Sequence, residues 1–149
     1  MGLIKLPKKV ALDSNIFIYA LESNESQGLL SRKLLEDIKV NQREVTISVI
    51  LVEELFVKIY KEGRESQKDE VLGFLSINGL TQVIDITQII ALKAAQIRAK
   101  YPKIKTPDAI HIACAIETKV KMFITTDRGL PKQIDSLKIV SLKDLSLKF

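Results

Sequence analysis

The chemistry this chain can offer rests on four acidic residues, Asp13, Glu54, Asp108 and Asp127, which stand far apart in a sequence of 149 residues. Carboxylates are hard oxygen donors, and a group of them suits Mg²⁺ or Mn²⁺. Clustered carboxylates repel one another until a cation arrives. A bound cation can then activate water, orient a phosphodiester and offset charge on the leaving oxygen. The chain has a single histidine, His111, and a single cysteine, Cys114, which excludes a His-Cys zinc cluster. It contains no glycine-rich phosphate loop and no nucleophile elbow.

The elements between these residues decide whether they can meet. Val10 to Leu12, Val45 to Val49, Gln82 to Ile86, Lys121 to Thr125 and Lys138 to Val140 read as short strands, apolar or rich in β-branched residues. Helical spacing marks a short helix over 16–21 and longer ones over 27–40, 50–61, 66–77, 87–100 and 106–119. Gly63 and the Asn78-Gly79 pair end two of them, and Thr87 caps another. Strands alternating with helices imply an α/β chain, a mostly parallel sheet of about five strands between helical layers. The functional crevice of such a sheet lies beyond the carboxyl ends of its strands. Asp13 and Asp127 end strands. Glu54 lies early in a helix that follows one, and Asp108 opens the helix before the fourth, so all four can converge on one sheet edge.

Each acid also has a plainer reading. Asp13, with Ser14 and Asn15, can be a turn or capping residue. Thr106-Pro107-Asp108 reads as an N-cap, a proline at the first helical position and an acid facing the helix dipole. Glu54 points away from the Val52, Leu55, Phe56 and Ile59 stripe, and periodicity does not choose between it and Glu53. Asp127 precedes Arg128-Gly129, a turn sequence. Asp85 ends a strand too, but its run into Thr87 suggests capping.

Composition narrows the class. With 46% hydrophobic and 28% charged residues the chain is globular, and one domain over 1–149 with a short basic leader at 1–9 is expected. The lone cysteine implies no dependence on an oxidising compartment. No stretch approaches a signal peptide or the roughly 20 apolar residues of a spanning helix, so a cytoplasmic protein is expected. Lys and Arg number 23 against 18 Asp and Glu, a net charge of +5 that favours a polyanion such as RNA.

Four segments bear a family resemblance. Leu12-Asp13-Ser14-Asn15-Ile16-Phe17-Ile18-Tyr19 resembles the opening motif of PIN domains, among them the VapC-type toxins. Ile47 to Leu55 resembles the second motif, a serine six residues before a Glu-Leu pair, in a register that selects Glu54 over Glu53. Thr106-Pro107-Asp108-Ala109-Ile110-His111-Ile112-Ala113 resembles the third, and Phe123-Ile124-Thr125-Thr126-Asp127 the fourth. They span most of the chain in the family's order. The resemblance implies a three-layer, Rossmann-like PIN fold and a Mg²⁺- or Mn²⁺-dependent endoribonuclease whose products carry 5′-phosphate and 3′-hydroxyl ends. It carries Asp13, Glu54, Asp108 and Asp127 over as metal-site carboxylates, with Asn15 and Thr125 supporting them by hydrogen bonds. It further implies an antitoxin partner, as in type II toxin-antitoxin pairs, and a homodimer.

Some residues stay open. His111 lies on the same helix face as Asp108 and is read either as a phosphate contact or as a surface or packing residue. Cys114 reads as a small buried apolar residue. Lys103 and Lys105 read as phosphate contacts or as a solvated loop. Two other functions stand beside ribonuclease: a phosphatase with Asp13 as nucleophile, which usually needs an aspartate where Asn15 stands, and a non-catalytic PIN-like module that holds RNA or a protein without cutting.

Overall fold

A computed structural model of the chain describes residues 3–147. In chain order the elements are β1 (Ile4–Lys5), β2 (Lys9–Leu12), α1 (Ser14–Glu22), α2 (Ser26–Val40), β3 (Glu44–Ser48), α3 (Val49–Lys61), α4 (Lys68–Ser76), β4 (Thr81–Ile84), α5 (Gln88–Lys100), α6 (Thr106–Glu117), β5 (Met122–Thr125), β6 (Gln133–Ile134), β7 (Leu137–Ser141) and β8 (Leu145–Ser146). The main sheet has six strands in the order β4-β3-β2-β5-β7-β6, with only β6 antiparallel to its neighbour.

Strand alternation explains the two cores. Along β2, Val10 and Leu12 face one layer while Ala11 faces the other; along β5, Met122 and Ile124 oppose Phe123 in the same way. One core joins the sheet to α1 through α4, with Phe17, Leu34, Leu51 and Ile59 buried in it. The second joins it to α5 and α6, through Ile97, Ala109, Ile112 and Ala113. Alanines on α6 let that helix lie close to the strands. Gly28 on α2 serves a similar purpose, since a Cβ there would collide with the Ser23 backbone.

Several boundaries differ from the sequence reading. The sheet gains a sixth strand, β6. The basic leader is partly a strand, because β1 pairs in parallel with β8 of the C-terminal tail as a separate two-stranded sheet. Met1, Gly2, Lys148 and Phe149 lie outside the described residues. α4 ends earlier than Asn78-Gly79 suggested, at a cap formed by Ile77, which adopts the left-handed conformation with φ 44°. The cap of α6 is Lys105 rather than Thr106, and no side chain caps it. Gly63, with φ 66°, follows the end of α3 as expected, and the Thr87 hydroxyl accepts from the Ile90 amide at the start of α5.

The strand order reverses between β2 and β5: β2 is followed outward by β3 and β4 on one side, while β5 and β7 lie on the other. This switch point opens a crevice at the carboxyl ends of β2 and β5, bridged by a hydrogen bond of 3.0 Å from the Asp13 amide to the Ile124 carbonyl.

Candidate functional site

Asp13 is the residue at which β2 becomes α1. It caps the helix, its carboxylate accepting from the Ser14 amide at 2.8 Å, and it is only 2% exposed. Across the switch point the Thr125 hydroxyl donates to the other Asp13 oxygen at 2.7 Å. The same Thr125 oxygen accepts from the Asp127 amide at 3.0 Å, so one buried hydroxyl fixes both the carboxylate of β2 and the backbone that carries the acid after β5. Asp127 closes an Asx-type turn by accepting from the Gly129 amide at 2.8 Å and leaves its side chain in solvent.

Glu54 and His111 join α3 to α6. His111 Nε2 lies 2.6 Å from Glu54 Oε1, with the imidazole buried and the glutamate half-buried. Facing a carboxylate, Nε2 acts as donor; Nδ1 is buried without a partner among the described residues. Asp108, in the first turn of α6, accepts no hydrogen bond among the described residues.

Electrostatics show that these side chains share one environment. Burial, followed by the negative charge of Asp13, pushes the Asp108 carboxyl up to about 6; Glu54 and Asp127 add to the rise and His111 opposes it. Asp13 is also raised, chiefly by burial, against the lowering effect of the Thr125 hydroxyl and of His111. Two carboxylates held above their ordinary range, by burial first and by neighbouring acids after it, make a place that a cation would relieve.

A hard divalent cation fits the chemistry of these four carboxylates, which are all oxygen donors. The fit requires rearrangement: among the described residues no three acid, histidine or cysteine side chains already surround one point as metal ligands do. Asp13 is held by Thr125 and Ser14, Glu54 by His111, and Asp127 by its own turn.

The remaining expected residues fall differently. Thr125 supports the site as expected. Asn15 is half-buried and makes no side-chain hydrogen bond among the described residues. Asp85 and Glu53 are exposed, and Lys103 and Lys105 lie in the exposed loop before α6. His111 is neither a surface residue nor a free phosphate contact. Its place three residues after Asp108 put it on the correct helix face, but its pairing with Glu54 had no signal in the sequence. Cys114 is buried, which pushes its thiol up.

The fold is that of a PIN domain. The PIN family model matches residues 10–135, and the chain belongs to that family. Among known proteins it is 24% identical over 121 residues to Ribonuclease VapC23 of Mycobacterium tuberculosis, a match covering 81% of this chain and 94% of that one. Its fold is similar to the VapBC2 complex of Rickettsia felis bound to a promoter DNA fragment, with a TM-score of 0.69, 21% identity, and coverage of 89% of this chain and 98% of that chain. It is also similar to a toxin-antitoxin complex from Klebsiella pneumoniae, with a TM-score of 0.61, 27% identity, and coverage of 87% of this chain and 99% of that chain. Among the described residues no helix is long and apolar enough to cross a membrane.

Proposed function

We propose that this chain is a Mg²⁺- or Mn²⁺-dependent endoribonuclease and the toxin of a type II, VapBC-like toxin-antitoxin pair. The reading treats residues 1–149 as one domain. The observation that supports it is the Asp108 carboxyl, raised to about 6 by burial first and then by the charges of Asp13, Glu54 and Asp127, which puts all four acids within reach of one another's field. Family membership and the likeness to a VapC ribonuclease support it.

In this reading Asp13, Asp108 and Asp127 hold the cation and Glu54 is a further ligand or an outer base. When bound, such an ion supplies Lewis acidity that activates water and offsets charge on the scissile phosphate. The chain's own residues do the positioning. Thr125 fixes the orientation of Asp13 and the approach of Asp127. His111 holds Glu54 at the crevice rim. The net positive charge draws RNA toward a crevice that is itself acidic. RNA cutting of this kind belongs in the cytoplasm. An antitoxin that covers the crevice fits the reading, and a second copy of the chain fits it too, with Ile89 and Leu92 of α5 exposed as apolar side chains it could cover.

The test is mapping of RNA ends after treating total RNA with purified protein and Mn²⁺, with EDTA, and with Asp13→Asn. Cleavage should need the ion. Outer-shell partners of metal ligands typically contribute 10–100-fold, so loss of a ligand should cost about 100-fold or more. Cleavage by Asp13→Asn at the wild-type rate would defeat the proposal.

A further inference from the structure

Beside the acids lies a second concavity. It has a volume of about 520 Å³ and shares Thr125 and Asp127 with the site just described. Its origin is topological. β6 pairs with β7 only at Leu137 and Lys138, so the rest of β7 has no strand on its outer side. β1 and the tail stand across that gap, and Ile4 forms part of the wall. Ile4 precedes the segment matched to the PIN family, residues 10–135.

The lining has two characters. Leu130 and Ile139 make an apolar surface, and Arg128, Lys132 and Lys138 bring three cations. None of the three has a carboxylate partner among the described residues. Two acids face them, Asp144 and Asp127, of which Asp127 belongs to the carboxylate cluster. The volume falls in the range of small-ligand sites, roughly 300–1,000 Å³. Apolar surface edged by unpaired cations is what single-stranded nucleic acid recognises: base faces rest on the one and phosphates on the other.

We propose that this cavity is a nucleotide subsite for the single-stranded RNA flanking the scissile bond. Leu130 and Ile139 receive a base while Arg128, Lys132 and Lys138 hold adjoining phosphates. The inference rests on the ribonuclease reading and adds to it the location of a site that selects the sequence being cut. Continuity through Thr125 and Asp127 leads a strand bound here directly to the acids.

Binding is measured without cleavage, by fluorescence anisotropy of a labelled single-stranded RNA on the Asp13→Asn protein in EDTA, over a series of salt concentrations. Lys132→Glu with Lys138→Glu is compared with Lys39→Glu with Lys61→Glu. The latter pair lies at the distal ends of α2 and α3, lines no part of the cavity and changes net charge equally. Each phosphate contact on a single strand contributes about 0.7 to the slope of log affinity against log salt, so losing two should flatten it by about 1.4. Affinity at low salt should fall by about tenfold or more for the cavity pair and much less for the control. Melting curves establish that both double variants are folded. Equal losses in the two double variants overturn the proposal, and so does RNA binding unchanged by the cavity pair, which would leave the cavity to a protein segment. In the otherwise unaltered chain, Leu130→Trp should fill the cavity, raise KM more than it lowers kcat, and shift the mapped cleavage sites. Unshifted sites at wild-type KM count against the subsite even if cleavage depends on Asp13. Absence of any cleavage by the wild type sinks the ribonuclease reading, a result the anisotropy comparison does not share.

Discussion

Asp37 and Asp13 are buried almost equally, at 0% and 2% exposure, yet their surroundings differ in kind. Asp37, on α2, has the Arg43 guanidinium against it, Nε to Oδ1 at 2.7 Å. The other end of that guanidinium donates to the Leu6 and Pro7 carbonyls at 2.9 and 3.2 Å, tying the segment before β2 to the α2–β3 turn. Asp13 receives one amide and two hydroxyls, those of Thr125 and, at 3.4 Å, Ser14, but no guanidinium or ammonium group among the described residues, and acids stand near it. The cost of burying a charge is met at Asp37 by a residue of the chain. At Asp13 it is left standing, which raises the carboxyl and prepares the place for a cation from outside. One buried aspartate serves the fold; the other costs stability and serves the site.

The largest stability effect should come from the first of the pair. Arg43→Met removes the guanidinium and both carbonyl contacts, and breaking a buried ion pair typically costs about 3–5 kcal/mol. Urea unfolding should show a loss of that order, with RNA cleavage per folded molecule retained. A loss under about 1 kcal/mol would put Asp37 on the same footing as a surface acid and leave Asp13 without a counterpart.

Next in size is the response to the cation itself. A ligand at about 100 times its Kd stabilises the folded state by about 2.7 kcal/mol. Mn²⁺ should therefore raise the melting temperature of the wild type and of Arg43→Met alike, and that of Asp13→Asn far less. An equal rise in all three would mean that the ion binds elsewhere.

How much of this was legible before the structure depends on the kind of signal. Asp13 and Asp127 could be placed because apolar runs stop at them, and the sheet rule assigns strand ends to one edge. Glu54 could not be placed by periodicity. The stripe of α3 records its packing on the first core, whereas Glu54 faces α6, and a contact between two helices leaves no period in either. Thr125 looked like one more β-branched strand residue, and only the family register marked it. β1, β6 and β8 have two residues each, too few for any alternation. The cap of α6 was misplaced by one residue because Thr106-Pro107 imitates a cap, while the chain turns at Lys105.

The smallest effect is the most diagnostic. Asp108 titrates near 6 in the folded chain against an ordinary value of 3.8. A carboxyl raised on folding is at no disadvantage below about pH 4, where it is protonated in both states. Its penalty grows as the pH climbs toward 6 and is complete above that. A rise of this size corresponds to about 3 kcal/mol, which partial exposure reduces to about 1–2. In EDTA, Asp108→Asn should thus melt above the wild type at pH 7.5 and match it near pH 4. In saturating Mn²⁺ the order should invert, because a ligand is missing. A gain independent of pH would trace to packing rather than charge. Because the Asp13 charge is among the causes of the rise, Asp13→Asn should relieve part of the same penalty. The double variant should gain less than the two single gains added together, and strict additivity would place the two carboxylates in separate environments after all.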